Sequence, residues 1–181
     1  MYAPKIYEEY RSKLSCLFER YAHLEQNFVN SIFPAATFNC GRRVVTLDHV
    51  DSTNVPFGLC AIFSCGSYDP IHGGHLILFD LGLVIRFPPG STILVPSGTL
   101  RHGNVSIQPD ETRQSFTQYC PGGLLRWVAY GFQAMGQAAK EVCQHFQESH
   151  EQRCAEAAGK FSKINELQHD RETTFTLKSH A

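Results

Sequence analysis

The stretch TLDHVDSTN, Thr46 to Asn54, sets a histidine and an aspartate on alternate positions, His49 and Asp51. Imidazole nitrogen and carboxylate oxygen are both metal donors, yet such a pair on its own could equally be two polar residues closing a strand. Further along, in PPGSTILVPSGTLRHGN, a strand runs into a turn that ends at His102. Two imidazoles and one carboxylate from adjacent strands occupy one face of an octahedral ion. Three positions stay open, which is the arrangement of non-haem iron(II) oxygenases. His49, Asp51 and His102 are therefore the candidate metal ligands and catalytic residues.

Arg113 follows in RQSFTQY, where alternation puts Arg113, Ser115, Thr117 and Tyr119 on one face of a strand. An arginine facing an apolar interior needs an anion, because an unpaired buried charge is costly. A dicarboxylate co-substrate would supply one. Its far carboxylate would take the planar fork of Arg113, and Ser115 would add a hydroxyl. The ordered set of His-x-Asp, a distant His and Arg-x-Ser is more specific than any of its parts.

Positioning these residues falls to a β-rich middle. From about Ala35 to Gln133, short runs such as ATFNC, RVVTLDHV, GLCAIFSC, GHLILFDL, LVIRF, STILVPS, VSIQ, RQSFTQYC and LLRWVAYGF alternate with Gly and Pro turns. That texture predicts a sandwich or barrel, in which inward residues of different strands converge. Ahead of it, Tyr7, Tyr10, Leu14, Leu17, Phe18, Tyr21, Leu24, Phe28 and Ile32 keep three-four spacing, so residues 4–32 read as a supporting helix that stops before Pro34. Residues 134–181 read as a polar helical region and tail. The whole is expected to be a single domain over 1–181.

With a formal net charge of −1, no whole-protein field recruits nucleic acid, so any contact with it is local. No apolar run approaches the ~20 residues of a membrane span, and no membrane partner is expected. The seven cysteines are an odd count without a C-x-x-C pair, which reads as reduced, intracellular thiols.

Taken together, DHVDSTN, GGHLILFD, PPGSTILVPSGTLRH and ETRQSFTQY resemble the Fe(II)/2-oxoglutarate-dependent dioxygenases with a double-stranded β-helix. More narrowly, they resemble the TET/JBP group and its multicopy fungal relatives, which act on methylated nucleobases. The similarity runs from about Ala35 to Phe132. It implies a mainly β, jelly-roll core over 35–133 with flanking helices. It also implies Fe(II) on His49, Asp51 and His102, with 2-oxoglutarate on Arg113 and Ser115 and dioxygen as co-substrate. Asn54 would then contact a flipped base and Tyr119 would stack on it. The activity implied is hydroxylation of a methyl group on methylated DNA, such as 5-methylcytosine or N6-methyladenine, in the nucleus. The chain departs from the group at Val50, where an arginine is usual, and at Pro121, where a base-contacting histidine is usual.

Other readings of the same residues stay open. Asn54 also suits a cap on the turn before Pro56, and Tyr119 a core aromatic. Gly90, Pro96, Gly98 and His102 approach a cupin motif, which would make a metal or small-molecule binder without turnover. His72 and His75 read as turn and strand residues. An inactive remnant, or a dioxygenase acting on a protein or a small molecule, would carry the same ligands.

Overall fold

A computed structural model describes residues 2–148 and 150–176 of the chain. They form two compact units: Phe33–Pro121, and Met1–Ile32 together with Gly122–Ala181.

The middle unit is built of antiparallel strands. β1 (Ala35–Asn39), β2 (Cys60–Ser67), β5 (Thr92–Val95) and β7 (Thr112–Tyr119) form one sheet in the order β1-β7-β2-β5. A second sheet, of β3 (Leu76–Leu78), β4 (Leu83–Ile85) and β6 (His102–Asn104), has the order β4-β3-β6. Strict alternation buries Cys60, Ile62 and Ser64 along β2. Cys60 and Ile62 of the first sheet meet Leu76 and Leu78 of the second in one cluster with Phe87 and Val95, so the two inner faces pack on each other. Gly66, at φ +119°, lies opposite Arg113 on β7, where a Cβ would run into the Thr112 carbonyl. Only glycine lets the two strands pass there.

Two expected strands of this region take another form. RVVTLDHV carries only isolated bridges, Arg43 to Arg113 and His49 to His102. Its pairing with β6 is completed by a side chain: the Asn104 amide oxygen accepts from Thr46 N at 2.9 Å. VSIQ is irregular after Asn104, held by Val105 N to His75 O at 2.9 Å and by burial of Ile107.

The other unit is helical. α1 (Pro4–Arg20) starts with proline in its first turn and buries Ile6, Tyr10, Leu14 and Leu17. It ends well short of residue 32. Of the residues that continue the apolar spacing, Leu24 is 40% exposed and Phe28 and Ile32 are only half-buried, so a longer helix would bury little further. The Tyr21 ring packs edge-on against Phe132 at 5.9 Å where the chain leaves the helix.

LLRWVAYGF, expected as a strand, is instead α2 (Gly122–Ala129). A short apolar run fits either period, and Leu, Arg and Ala favour helix once Pro121 has interrupted the preceding strand. The helix closes with Gly131 N to Val128 O and Phe132 N to Trp127 O, a pairing that needs the positive φ of Gly131. The β region therefore stops at Pro121 rather than at residue 133, and the chain mixes helices with antiparallel sheets rather than being mainly β.

α3 (Lys140–Glu148), α4 (His150–Gly159) and α5 (Leu167–Thr176) follow. Lys160 pairs with Glu9 at 2.7 Å, and Lys5 with Asp170 at 3.1 Å. The remaining tail, 177–181, lies outside the described residues. No helix among the described residues is long and apolar enough to cross a membrane.

Candidate metal centre

His49 and His102 face each other as an antiparallel bridge, closed by His49 N to His102 O at 3.1 Å and His102 N to His49 O at 3.0 Å. Their rings lie 4.3 Å apart, tilted by 45°. Each Nδ1 sits against the carbonyl two residues earlier, Leu47 O at 2.8 Å and Leu100 O at 2.9 Å. A carbonyl only accepts, so each Nδ1 carries a proton and in the neutral rings each Nε2 keeps the lone pair, the tautomer a metal needs. Asp51 arrives from the turn after His49, its backbone N–H donating to Ser97 O at 2.9 Å. Its Oδ1 lies 3.4 Å from His49 Nε2. One donor atom from each of the three residues falls within 4.8 Å of the others. An ion pair just outside braces the two histidine segments: Arg101 forks onto Asp48, with Nε to Oδ1 at 3.2 Å.

The donor set tests well against a divalent transition metal. Two imidazoles and a carboxylate suit iron, manganese or zinc better than calcium or magnesium, which prefer oxygen alone. No other histidine, cysteine or acidic residue among the described residues joins the three, so this is not a closed four-ligand structural site. Cys60 lines the same cavity but does not join the donor group, and burial pushes its thiol up to about 12, with the Ser97 hydroxyl opposing.

Arg113 enters this cavity from β7. It is 2% exposed, and its Nη1 donates to Val44 O at 3.2 Å while its Nε has no partner. Burial lowers its pKa, and the Tyr68 hydroxyl and Cys65 act in the opposite sense. No carboxylate among the described residues pairs with it. Ser115, two residues on and on the same face, is also buried and accepts from Asn39 Nδ2 at 3.0 Å.

Tyr119 packs against the apolar cluster, its hydroxyl 3.5 Å from Thr37 Oγ1. Asn54 gives its amide nitrogen to Asp51 Oδ2 at 3.2 Å and to Ser97 Oγ at 3.1 Å. All seven candidate residues thus border one cavity of about 300 Å³. His72 is apart from it, in an exposed turn against Asp69 at 2.7 Å.

Sequence reasoning passed over Asn104, Ser97 and Asn39. Asn104 stands two residues after His102, so alternation alone would have put it on the same face. Ser97 and Asn39 have no signal in the sequence, because their roles depend on which segments the fold brings beside them.

No protein-family model matches the chain, and no curated protein matches it either. Among solved structures, NgTET1 in complex with 5mC DNA is similar over 66% of this chain at 17% identity, with a TM-score of 0.46. This chain spans about half, 48%, of the length of that one. The viral collagen prolyl hydroxylase vCPH of Paramecium Bursaria Chlorella virus-1, in its 2OG complex, is similar over 60% of this chain and 68% of its own, at 13% identity and a TM-score of 0.32. A truncated form of the same hydroxylase gives 12% identity, 60% and 65% coverage and a TM-score of 0.30.

Proposed function

We propose that this chain is an Fe(II)/2-oxoglutarate-dependent dioxygenase that hydroxylates a methyl group on a methylated DNA base, its two sheets forming a double-stranded β-helix. One observation carries the reading. A His-Asp-His donor set shares its cavity with a buried arginine that pairs with no carboxylate among the described residues.

His49 Nε2, His102 Nε2 and an oxygen of Asp51 would hold the iron. Bound iron would let dioxygen and 2-oxoglutarate react, giving succinate, carbon dioxide and one oxygen atom for a substrate C–H bond. The chain's own part is placement. Arg113 supplies a fixed fork for the far carboxylate of 2-oxoglutarate, and that anion in turn compensates the buried cation. Ser115, held by Asn39, adds a hydroxyl beside the fork.

A base stacked inside a duplex cannot present its methyl group to a cavity lined by side chains, so the base is flipped. Tyr119 offers its ring face to the flipped base. Asn54 offers its amide oxygen, the half not given to Asp51 and Ser97, to an exocyclic amine of the kind cytosine and adenine carry.

A thermal-shift series with Mn(II), with and without N-oxalylglycine, tests the oxygenase reading. Stabilisation beyond metal alone is expected when both are present. Stabilisation by metal alone would make the protein a cupin-like binder. Nucleosides from methylated DNA incubated with the Fe(II)-loaded protein should contain hydroxymethyl products by mass spectrometry. Succinate formation should disappear in His102→Ala, and full turnover in that variant would refute the triad.

A further inference from the structure

One buried polar network touches the metal centre. Asn54 is 9% exposed and Ser97 1%. The Asn54 amide nitrogen bridges Asp51 Oδ2 and Ser97 Oγ, at 3.2 and 3.1 Å. A carboxylate oxygen accepts and does not donate, so the amide can face Asp51 only through its NH2. The backbone ties the same three residues together, with Asp51 N to Ser97 O and Asn54 N to Asp51 O both at 2.9 Å. Asp51 Oδ1, by contrast, lies 3.4 Å from His49 Nε2. The two oxygens of one carboxylate are therefore engaged by different partners.

We infer that Asn54, backed by Ser97, is a positioning residue that keeps Asp51 a one-oxygen metal ligand. A carboxylate free to turn would present both oxygens to the cation and fill a second coordination position. With Oδ2 held by Asn54, only Oδ1 is available, and three positions stay open for co-substrate and dioxygen. The inference rests on the metal reading above and adds what sets the number of open positions. It assigns the nitrogen end of Asn54 to the metal centre and leaves its oxygen end to the substrate.

The test uses the full chain and Co(II) alone, without 2-oxoglutarate. In Asn54→Ala, the Co(II) dissociation constant is expected to rise by about 10–100-fold, the usual effect of removing a partner that orients a ligand. The visible ligand-field spectrum of the bound Co(II) should also change as the second oxygen joins. Ser97→Ala removes the support behind Asn54 and should shift both readouts in the same direction by less, and it carries the comparison if Asn54→Ala does not fold. A residue that merely closed the turn would lower the melting temperature of the metal-free protein and leave the Co(II) spectrum of the loaded variants unchanged. That result, with wild-type protein binding Co(II), overturns this inference alone. A wild-type protein that binds no Co(II) overturns the metal reading and this inference together.

Discussion

A guanidinium that is 2% exposed, bonded to the Val44 carbonyl, supported by the Tyr68 hydroxyl and left with an unbonded Nε, is an expensive residue to keep. Taking a charge out of water without a partner costs several kcal/mol, so in the ligand-free protein Arg113 should oppose folding. In the proposed complex, the co-substrate carboxylate repays that cost. Arg113→Leu should therefore move two quantities in opposite directions. The ligand-free stability should hold or rise, by up to about 4 kcal/mol, since an apolar side chain replaces a buried ion without a counter-charge. The apparent 2-oxoglutarate requirement should rise by orders of magnitude, since a bidentate charged contact is lost. Differential scanning calorimetry and a succinate assay read the two effects. A destabilised variant with an unchanged 2-oxoglutarate requirement would make Arg113 a structural residue. At this scale much was legible: alternation along RQSFTQY was enough to put Arg113, Ser115, Thr117 and Tyr119 on one side. What no sequence pattern revealed is that Asn54 reaches Asp51 and Ser97, because the last of these lies far along the chain and comes near only after folding.

β6 is three residues long and holds the site together from both flanks. On one side it pairs with β3, Leu78 opposite His102 and Leu76 opposite Asn104. On the other it takes His49 and Thr46 through His102 N to His49 O and Asn104 N to Thr46 O. Between those two contacts stands Gly103, where a Cβ would come within 2.8 Å of Thr46 O and 3.1 Å of the Leu47 carbonyl. Gly103→Ala should push residues 46–47 away and pull His49 from His102. We expect a loss of about 1–3 kcal/mol of stability from the overpacking and a metal affinity weaker by tenfold or more. Gly136→Ala, with nothing within 4 Å of the added atom, should leave both unchanged. Chemical denaturation and Mn(II) titration decide the matter, and an unaffected metal affinity in Gly103→Ala would mean that the close pairing is not what positions the histidines. This pairing also explains why RVVTLDHV departs from the expected strand. Its apolar content suggested a continuous strand, but the ladder runs partly through the Asn104 side chain, which periodicity does not register. LLRWVAYGF was ambiguous for a different reason: it is short enough to satisfy period 2 and period 3.6 alike, and only its position after Pro121 decides.

For the whole molecule, the formal net charge of −1 sets how a nucleic acid could be met. With no long-range field, attraction to phosphates must come from a few local cations. Among the described residues of the β unit, Arg101 is committed to Asp48 and Arg113 is buried. Arg42, Arg43 and Arg86 are exposed and form no ion pair; Arg86 follows β4 in the other sheet, whereas Arg42 O accepts from Arg113 N at 2.9 Å, so Arg42 and Arg43 are the two that stand beside the strand carrying the proposed co-substrate residues. Two such contacts release about two counterions, so binding of a methylated duplex should weaken with salt along a log–log slope of about −2. A protein that tracks DNA with a broad basic surface would instead give slopes of −6 or steeper. Replacing both arginines by alanine should flatten the slope toward zero while leaving Mn(II) and N-oxalylglycine stabilisation intact, since neither side chain belongs to the cavity. Fluorescence anisotropy between 50 and 200 mM salt measures it. A steep slope that survives the double substitution would place the phosphate contacts on another surface. A flat slope in the wild type, with no measurable binding of methylated DNA, would turn the substrate toward a protein or a small molecule while leaving the metal and 2-oxoglutarate chemistry in place.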